Sequence, residues 1–296
     1  MKKRFSMRNK LLIIFGLLIV LATSVEGLLA IRTARRAVVE KIETHLKDKA
    51  TDVAEVLDGR VNAFFQFLEG IARIPVFRDA SVSYSEKLNF LKKEVAYNDL
   101  LVEAALVDAQ GNMYHSVTKE IISVKDREWF KTAFGGGKFV MEPYISRATN
   151  KMIITLSIPI YGDNRNVIGV LAIATAAEWL SDQIDDIVVG KTGYCHIINS
   201  NGLIVAHKNF DWVTRKFNGA EKGKQDAAYA SYGQFIQSIL NTEKSAVGFY
   251  EYGGHNYIAS YAKIAATGRI VIINAPVSEF MGTVNELRLE MLIIGA

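Results

Sequence analysis

The 296-residue sequence contains one cysteine, Cys195, and only four prolines. A single cysteine cannot form an internal disulfide, so the chain is not a small scaffold held together by disulfides. Half of its residues are apolar, which excludes a disordered chain, and its 22 glycines follow no collagen-like repeat. The length and composition therefore predict a globular body of one large domain or two small ones.

An excess of charge is also missing from most of the chain. There are 35 Lys and Arg against 31 Asp and Glu, a formal net charge of +4. Five of the basic residues lie in the first ten positions, so the other 286 residues have a net charge of −1. The basic balance reflects a tail at residues 1–10 rather than a basic surface, and we expect no nucleic-acid partner.

Charged residues are scarce at 11–31, where Glu26 is the only one. About 20 apolar residues are enough to cross roughly 30 Å of hydrocarbon as a helix. Lys and Arg concentrate on the cytoplasmic side of such helices, so we expect residues 1–10 in the cytoplasm and the following chain outside it. A cleaved signal peptide is the alternative, with residues 22–24 (Ala-Thr-Ser) as the cleavage site. Because apolar residues resume at 28–31, an uncleaved anchor in the inner (plasma) membrane is favoured.

The last six residues, 291–296, are apolar as well, but six residues are too few to span a membrane. We interpret residues 281–296 as an exit helix that runs into the start of a second transmembrane helix. On this interpretation the cytoplasmic continuation, which would identify the output of the protein, is missing.

Proline is absent between residues 32 and 74, where apolar residues recur at three-, four- and seven-residue steps. This spacing is typical of a long helix with one apolar stripe. Pro75 is expected to close this helix, and a second helical stretch follows at 84–96. We therefore predict a stalk helix and a following helix in residues 32–96. The stripe is wide enough to pair with a second copy, so a parallel homodimer is expected.

After Asn98 the pattern changes to short apolar runs separated by turn residues. Such runs are typical of antiparallel strands and hairpins. They predict one α+β module in residues 97–180, far from the membrane. Its predicted strands are 102–108, 113–117, 139–146, 151–161 and 167–175, with a short helix at 126–134.

The same order of elements then repeats more loosely. The turn at 108–111 (Asp-Ala-Gln-Gly) aligns with the turn at 199–202 (Asn-Ser-Asn-Gly), each after an apolar run. This internal repeat predicts a second module in residues 181–280, nearer the membrane. The fold class is therefore α+β, with two tandem antiparallel-sheet modules on one stalk helix. The predicted elements of this half are a helix at 176–187, strands at 193–199 and 203–207, a helical stretch at 224–240, and strands at 246–252, 257–263 and 269–275.

Patterns that would indicate an enzyme or a metal site are missing. The five histidines have no partner at the three- or four-residue spacing of metal ligands. Gly190-Lys191-Thr192 imitates the end of a phosphate-binding loop, but Asp185 occupies the position of the required first glycine. No nucleophile lies in a Gly-x-Ser-x-Gly elbow. We expect no enzymatic activity, no cofactor and no metal.

Several stretches together resemble the double Cache sensor module of bacterial methyl-accepting chemotaxis proteins and related transmembrane receptors. They include 127–130 (Arg-Glu-Trp-Phe) before a glycine loop, 158–161 (Ile-Pro-Ile-Tyr) before a turn, and the closing stretch 268–276. The resemblance covers roughly residues 34–280. It implies two PAS-like modules, with a ligand held in the membrane-distal one.

In the amino-acid-binding branch of that family, the pocket is similar to an Arg-x-Trp-aromatic stretch followed by a tyrosine on the next strand. Arg127, Trp129, Phe130 and Tyr144 match this pattern. An arginine fork grips a carboxylate with two hydrogen bonds, and aromatic walls exclude water. Neighbouring strands add further lining candidates, namely His115, Thr155, Ser157, Ala174 and Thr175.

A structural interpretation of these residues stays open. Arg127 could pair with Asp126 or Glu128 on a helix surface, and Trp129 and Phe130 could be core residues. Strand alternation likewise allows the lining candidates to be core or surface residues. The tyrosines at positions 250, 252, 257 and 261 are expected to serve packing rather than a second site.

Two positions depart from the family's pattern. Ile122 stands where an upstream tyrosine belongs, and Ala174 stands where an ammonium-binding aspartate belongs. Without that aspartate, a zwitterionic ligand would lose its charge partner in a desolvated site. The expected ligand is therefore a small carboxylate or another small polar metabolite that needs no counter-charge at Ala174.

The sequence thus predicts a transmembrane receptor of the methyl-accepting chemotaxis type, which senses a small molecule outside the cytoplasm and acts on a cytoplasmic kinase or adaptor. The same sensor could instead belong to a histidine kinase or a diguanylate cyclase. A membrane-tethered structural protein and an exported enzyme are the alternatives from other classes. The enzyme would need a titratable constellation that the sequence does not show, and a structural protein would need neither an arginine-aromatic pocket nor a second membrane entry.

Overall fold

The computed structural model describes residues 7–282 and begins with one continuous helix, α1, at Met7–Ala72. Its N-terminal part is long and apolar enough to cross a membrane, and that apolar part is exposed. No residue of α1 is buried before Leu46. The predicted anchor and stalk are therefore two parts of the same helix. The predicted exit helix and second membrane segment at 281–296 lie almost entirely outside the described residues.

Pro75 does not have the position relative to α1 that the sequence predicts. Pro75 was expected to close the stalk helix, but α1 ends at Ala72 and Pro75 occupies the first turn of the next helix. This position suits proline, because the first N–H groups of a helix have no intrahelical partner. The other helices are α2 Pro75–Arg78, α3 Tyr84–Ala96, α4 Glu128–Phe134, α5 Glu178–Asp182, α6 Asp211–Thr214, α7 Gly219–Gln225 and α8 Ala230–Ile239.

The helix predicted at 84–96 is confirmed as α3, and its start is fixed by a capping box. The Ser83 hydroxyl accepts a hydrogen bond from the Glu86 N–H, while the Glu86 carboxylate accepts one from the Ser83 N–H. These two bonds satisfy backbone donors that the first helical turn leaves unpaired.

The first sheet contains seven antiparallel strands in the order β3-β2-β1-β7-β6-β4, with β5 paired to β6. The strand predicted at 139–146 is wrong, because two short strands flank Pro143, which has no N–H to donate to a ladder. A short outer strand at Ile121–Ser123 was not predicted. The strands are β1 Leu101–Asp108, β2 Asn112–His115, β3 Ile121–Ser123, β4 Phe139–Val140, β5 Tyr144–Ile145, β6 Met152–Tyr161 and β7 Val167–Ala176.

The second sheet contains six antiparallel strands in the order β10-β9-β13-β12-β11, with β8 paired to β9. The helix predicted at 176–187 is only the five-residue α5, and the helical stretch predicted at 224–240 is divided at Asp226. The Asp226 carboxylate accepts a hydrogen bond from the Ala228 N–H and so starts a new turn. The strands are β8 Val188–Val189, β9 Gly193–Ile198, β10 Ile204–His207, β11 Ala246–Tyr252, β12 His255–Lys263 and β13 Ile270–Pro276.

Helix α1 packs against both sheets. Its buried residues share one apolar cluster with residues of the first and second sheets. Polar contacts show which part of the helix meets which sheet: the Asp58 carboxylate accepts a hydrogen bond from Ala266 N–H, and Glu69 pairs with Lys138 Nζ at 2.6 Å. The two predicted antiparallel modules on one stalk are thus present, and α1 supplies part of the core of each.

Strand alternation divides the residues of each sheet between two faces. In β7, Leu171 and Ile173 belong to the cluster with α1, whereas Val170 and Ala172 pack on the opposite face with α4. The face of the first sheet that carries α4 is therefore the one available for a site.

The shared core predicts that α1 determines the stability of the domain. Leu57 is 2% exposed, whereas its neighbour Val56 is 53% exposed. We expect Leu57→Ala to lower the free energy of unfolding by about 2–5 kcal/mol, because it removes buried methyl groups and leaves a cavity. Val56→Ala should change it by no more than about 0.5 kcal/mol. Urea unfolding of the detergent-solubilised chain measures both, and equal midpoints for the two variants would contradict this role of α1.

Candidate ligand-binding site

Helix α4 covers the face of the first sheet that points away from α1. It begins directly after Arg127, whose backbone is extended, and this places Trp129 and Phe130 in its first turn. Trp129 is 8% exposed and Phe130 is 4% exposed, and both belong to the apolar cluster that includes Val107 and Ala172 of the sheet. The two aromatic residues singled out from the sequence therefore lie on the sheet, as a pocket wall or as core.

Strands β5 and β6 bring three further predicted residues to this face. The Ser157 hydroxyl donates a hydrogen bond to the Trp129 carbonyl oxygen at 3.2 Å. The Thr155 and Tyr144 hydroxyls lie 2.8 Å apart, and burial raises the pKa of Tyr144. Trp129, Tyr144, Thr155 and Ser157 thus form one polar and aromatic group beneath and beside α4.

Ala174 lies on the same face, on β7 between β1 and β6, and a carboxylate stands beside it. Its cross-strand partners are Thr155 on β6 and Glu103 on β1. A register shift between Leu101 and Glu103 precedes this pairing. Glu103 is 4% exposed. The structure therefore places a buried acid next to the position where the family's pattern has an aspartate.

The Glu103 carboxylate is held by neighbouring polar side chains. His115 Nε2 lies 3.3 Å from Glu103 Oε2, and the Thr149 hydroxyl donates a hydrogen bond to Glu103 Oε1. Burial alone would raise the pKa of Glu103, but the hydrogen bonds from His115, Ser146 and Thr149 outweigh burial and lower it. The acid is therefore ionised at neutral pH.

Sequence reasoning missed Glu103. The only local signal was one charged residue inside the otherwise apolar run at 102–107. That Glu103 would pair with Ala174 depends on strand order, which the sequence pattern did not specify. His115, in contrast, was predicted as a lining residue, and the structure brings it to this group through the pairing of β2 with β1.

Three residues do not join the group. Arg127 is exposed at the start of α4, and within residues 7–282 its guanidinium pairs with neither Asp126 nor Glu128. The expectation that Thr175 lines the pocket is wrong. It follows Ala174 on the strand, so it points to the opposite face, where its partners are Leu101 and Ile154 of the core shared with α1. Ile122 is 43% exposed on the outer strand β3.

A buried arginine connects this site to the second sheet. Arg269 lies just before β13 and is 4% exposed. Its Nη2 donates a hydrogen bond to the Met141 carbonyl oxygen at 2.8 Å and lies 3.7 Å from the Glu142 carboxylate. Met141 and Glu142 precede Tyr144 in the chain, so the segment that carries Tyr144 is tied to the second sheet. Among the described residues, no group of three or more His, Cys, Asp and Glu could hold a metal ion.

Comparisons with known proteins agree with this architecture. The chain is 26% identical over 251 residues to the methyl-accepting chemotaxis protein McpB of Bacillus subtilis (strain 168). The matched region covers 81% of this chain and 36% of that protein. It is 23% identical over 224 residues to the methyl-accepting chemotaxis protein McpG of Pseudomonas putida KT2440. This matched region covers 74% of this chain and 34% of that protein. The chain therefore spans about a third of the length of these curated relatives.

A solved structure shows the same fold. The ligand-binding domain of the Pseudomonas fluorescens chemoreceptor CtaA, in complex with L-isoleucine, superposes with a TM-score of 0.66 at 16% identity, over 85% of this chain and 99% of that one. The Cache domain model matches residues 30–284, which is most of the chain and includes both sheets. The chain belongs to the Cache domain family.

Proposed function

We propose that this chain is the sensor part of a transmembrane chemoreceptor, which binds a small molecule outside the cytoplasm and passes the signal along α1. One observation carries the proposal: Glu103, Tyr144 and Thr155 converge with Trp129 on one face of a Cache-domain sheet. That sheet is mounted on a helix whose other end could span a membrane. The methyl-accepting chemotaxis proteins among the relatives support the same function.

The ligand is a small polar molecule with a carboxylate. Arg127 is exposed and unpaired among the described residues, so its guanidinium is free to close over a ligand at the start of α4. Glu103 stands beside Ala174 and supplies the negative charge that Ala174 itself lacks. A donor group on the ligand, a hydroxyl or an amine, would bond to Glu103. The solved structure of the CtaA domain holds L-isoleucine, which has both a carboxylate and an amine. That complex supports this assignment.

The signal is a shift between two arrangements of α1. A ligand can shift such an equilibrium only by its difference in affinity for the two arrangements, typically about 1–3 kcal/mol. The exposed apolar side chain of Phe67 on α1 supports pairing with a second copy. The output is a cytoplasmic kinase or adaptor. The alternative, a histidine kinase or diguanylate cyclase on the same sensor, is distinguished by the sequence that follows the second membrane segment.

The pocket proposal predicts that Arg127 is needed for binding. L-Amino acids and two- to four-carbon carboxylic acids are first screened by thermal shift on the detergent-solubilised chain, and the best binder is measured by calorimetry. Arg127→Ala should weaken its binding about tenfold or more, because a charge-assisted hydrogen bond to a carboxylate contributes roughly 1.5–3 kcal/mol. Lys131→Ala, which removes an exposed cation from the same helix, is the matched control. Unchanged affinity in Arg127→Ala would refute the assignment.

The charge of Glu103 should determine how tightly the chain binds a ligand with a cationic donor group. Glu103→Gln keeps the size of the side chain and removes its charge, so a cationic ligand should lose about tenfold or more in affinity. The exposed Glu128→Gln on α4 serves as the control. Equal affinities for amine ligands in the parent and Glu103→Gln would show that Glu103 binds only His115 and Thr149.

The membrane anchor predicts a fixed orientation. Alkaline phosphatase, which is active only outside the cytoplasm, should be active when fused after Tyr161 and inactive when fused after Lys10, because the basic tail stays inside. N-terminal sequencing of the membrane fraction should also show an uncleaved chain. A mature protein that begins at Val25 would contradict the anchor.

A further inference from the structure

The loop between β8 and β9 has a feature that the proposed function does not use. It consists of Gly190, Lys191 and Thr192, the residues that imitate the end of a phosphate-binding loop in the sequence. The structure shows that this loop does bind an anionic group. The group belongs to the chain itself and is the side-chain carboxylate of Glu279. We refer to residues 190–192 as the carboxylate loop.

Three donors of the carboxylate loop converge on Glu279. The Lys191 N–H donates to Oε2, and the Thr192 hydroxyl donates to Oε1. The Thr192 N–H is shared between the two oxygens, because Thr192 N lies 3.2 Å from Oε1 and 3.3 Å from Oε2. Successive backbone N–H groups that point at one anion form a nest, as they do in phosphate-binding loops. Both oxygens of the carboxylate are therefore bound.

Gly190 shapes the loop for this contact. Its φ of +67° lies in the left-handed region, which residues with a side chain rarely adopt. A Cβ added at this position would also clash with Glu279 Oε2. Glycine at position 190 thus supplies both the turn and the space that the carboxylate needs.

The carboxylate of Glu279 is ionised. Its partial burial would raise the pKa of Glu279, but the hydrogen bonds from Thr192 and from the backbone of Lys191 outweigh burial and lower the pKa. Hydrogen bonds to a charged group are roughly twice as strong as those between neutral groups. The Lys191 ammonium group forms no ion pair within residues 7–282, so backbone N–H groups and one hydroxyl supply the contacts.

Glu279 lies where the chain leaves the second sheet. Strand β13 ends at Pro276, and a short 3₁₀ helix at Val277–Phe280 follows directly. Val277 and Phe280 are three residues apart on this helix, and both pack against the cluster that contains the buried residues of α1. Glu279 reaches instead to the carboxylate loop at the end of β8. The 3₁₀ helix is therefore held by apolar packing and by one ionic contact.

We propose that the carboxylate loop is a binding site for Glu279 and that this contact is a latch, which holds the start of the exit segment on the second sheet. The latch rests on the proposed function, because residues beyond 280 must lead to the membrane for it to control a signal. Strand β13 starts beside Arg269, which contacts the segment that carries Tyr144. A movement of that segment can thus reach the latch along one strand, and an open latch releases the exit segment.

The mobility of a nitroxide at position 282 tests the latch in the detergent-solubilised full chain. A Cβ at Gly282 meets no atom within 4 Å, so Gly282→Cys can carry the label without displacing a neighbour. Cys195 is 1% exposed and should not react, and the chain without Gly282→Cys gives the background. We expect a slow-motion component to dominate the continuous-wave EPR spectrum of the labelled parent.

Two substitutions open the latch in different ways. Glu279→Gln keeps the length of the side chain, removes its charge and sets an NH₂ group against the donors of the loop. Gly190→Ala leaves Glu279 in place and fills the space of its carboxylate. Each should reduce the slow-motion fraction at least twofold. Thr192→Val, which removes one donor, should give a smaller reduction, and Thr192→Ser, which keeps the hydroxyl, should match the parent.

Lys191→Ala is the matched control, because it removes the cation nearest to the carboxylate in sequence and keeps the backbone N–H that donates to Glu279. Its spectrum should equal that of the parent. A reduction in Lys191→Ala as large as in Glu279→Gln would show an ordinary ion pair and overturn the proposal. A parent-like spectrum in Glu279→Gln would also overturn it, since Val277 and Phe280 would then hold the segment without the carboxylate.

The latch and the proposed function can fail separately. The measurement uses no ligand, and Arg127→Ala should give the spectrum of the parent whether or not the first sheet binds a carboxylate. A twofold or larger loss of the slow-motion component in both Glu279→Gln and Gly190→Ala, with the thermal midpoint unchanged and with Lys191→Ala like the parent, would establish the latch. If one of the two variants lowers the midpoint, the other decides.

Discussion

The structure depends on one apolar stripe of α1, which completes the cores of two sheets at once. The buried residues from Leu46 to Ile71 pack against inward-facing residues of both sheets in a single cluster. Close-packed interiors do not deform continuously, so a change in the way one sheet packs on α1 alters the packing of the other. The same helix continues to Met7 through a stretch that could span a membrane. Packing alone therefore connects both sheets to the part of α1 that is apolar enough to cross a membrane.

Because α1 occupies one face of each sheet, only the other face of each sheet is available for chemistry. This constraint explains why Ala174 and its neighbour Thr175 have different surroundings. It also explains why the aromatic residues of α4 pack on the face of the first sheet opposite α1. That face is the one that α1 leaves uncovered, and α4 lies on it. The same division in the second sheet leaves a face that α8 covers, and a small cavity lined by aromatic residues forms there.

The elements that depend on local pattern could be predicted from the sequence. The helix at 84–96 and the hairpin that starts at Leu101 follow from spacing, capping and turn residues close together in the chain. The site could be predicted only in part. Trp129 and Tyr144 were predicted through their resemblance to a family pattern, and Ser157 from its place on a neighbouring strand. Glu103 was not, because its place beside Ala174 depends on pairing between strands far apart in sequence and on a register shift.

The failed predictions have local causes that the periodicity did not include. Pro143 divides the strand predicted at 139–146, because it cannot donate to the ladder. Asp226 divides a predicted helix by bonding to a backbone N–H two residues on. In both cases one side chain or one missing donor outweighs the apolar pattern around it.

The division at Pro143 has a consequence for coupling between the sheets. It leaves Met141 and Glu142 outside regular strands, where the Met141 carbonyl oxygen can accept the hydrogen bond from Arg269. Arg269 is buried, so a movement that removed this partner would leave a desolvated cation with unpaired donors, which costs several kcal/mol. A ligand that moves Tyr144 must therefore either leave this contact in place or move the start of β13 with it. The irregular segment thus limits which rearrangements of the first sheet are open to a ligand, and those that move Met141 also involve the second sheet.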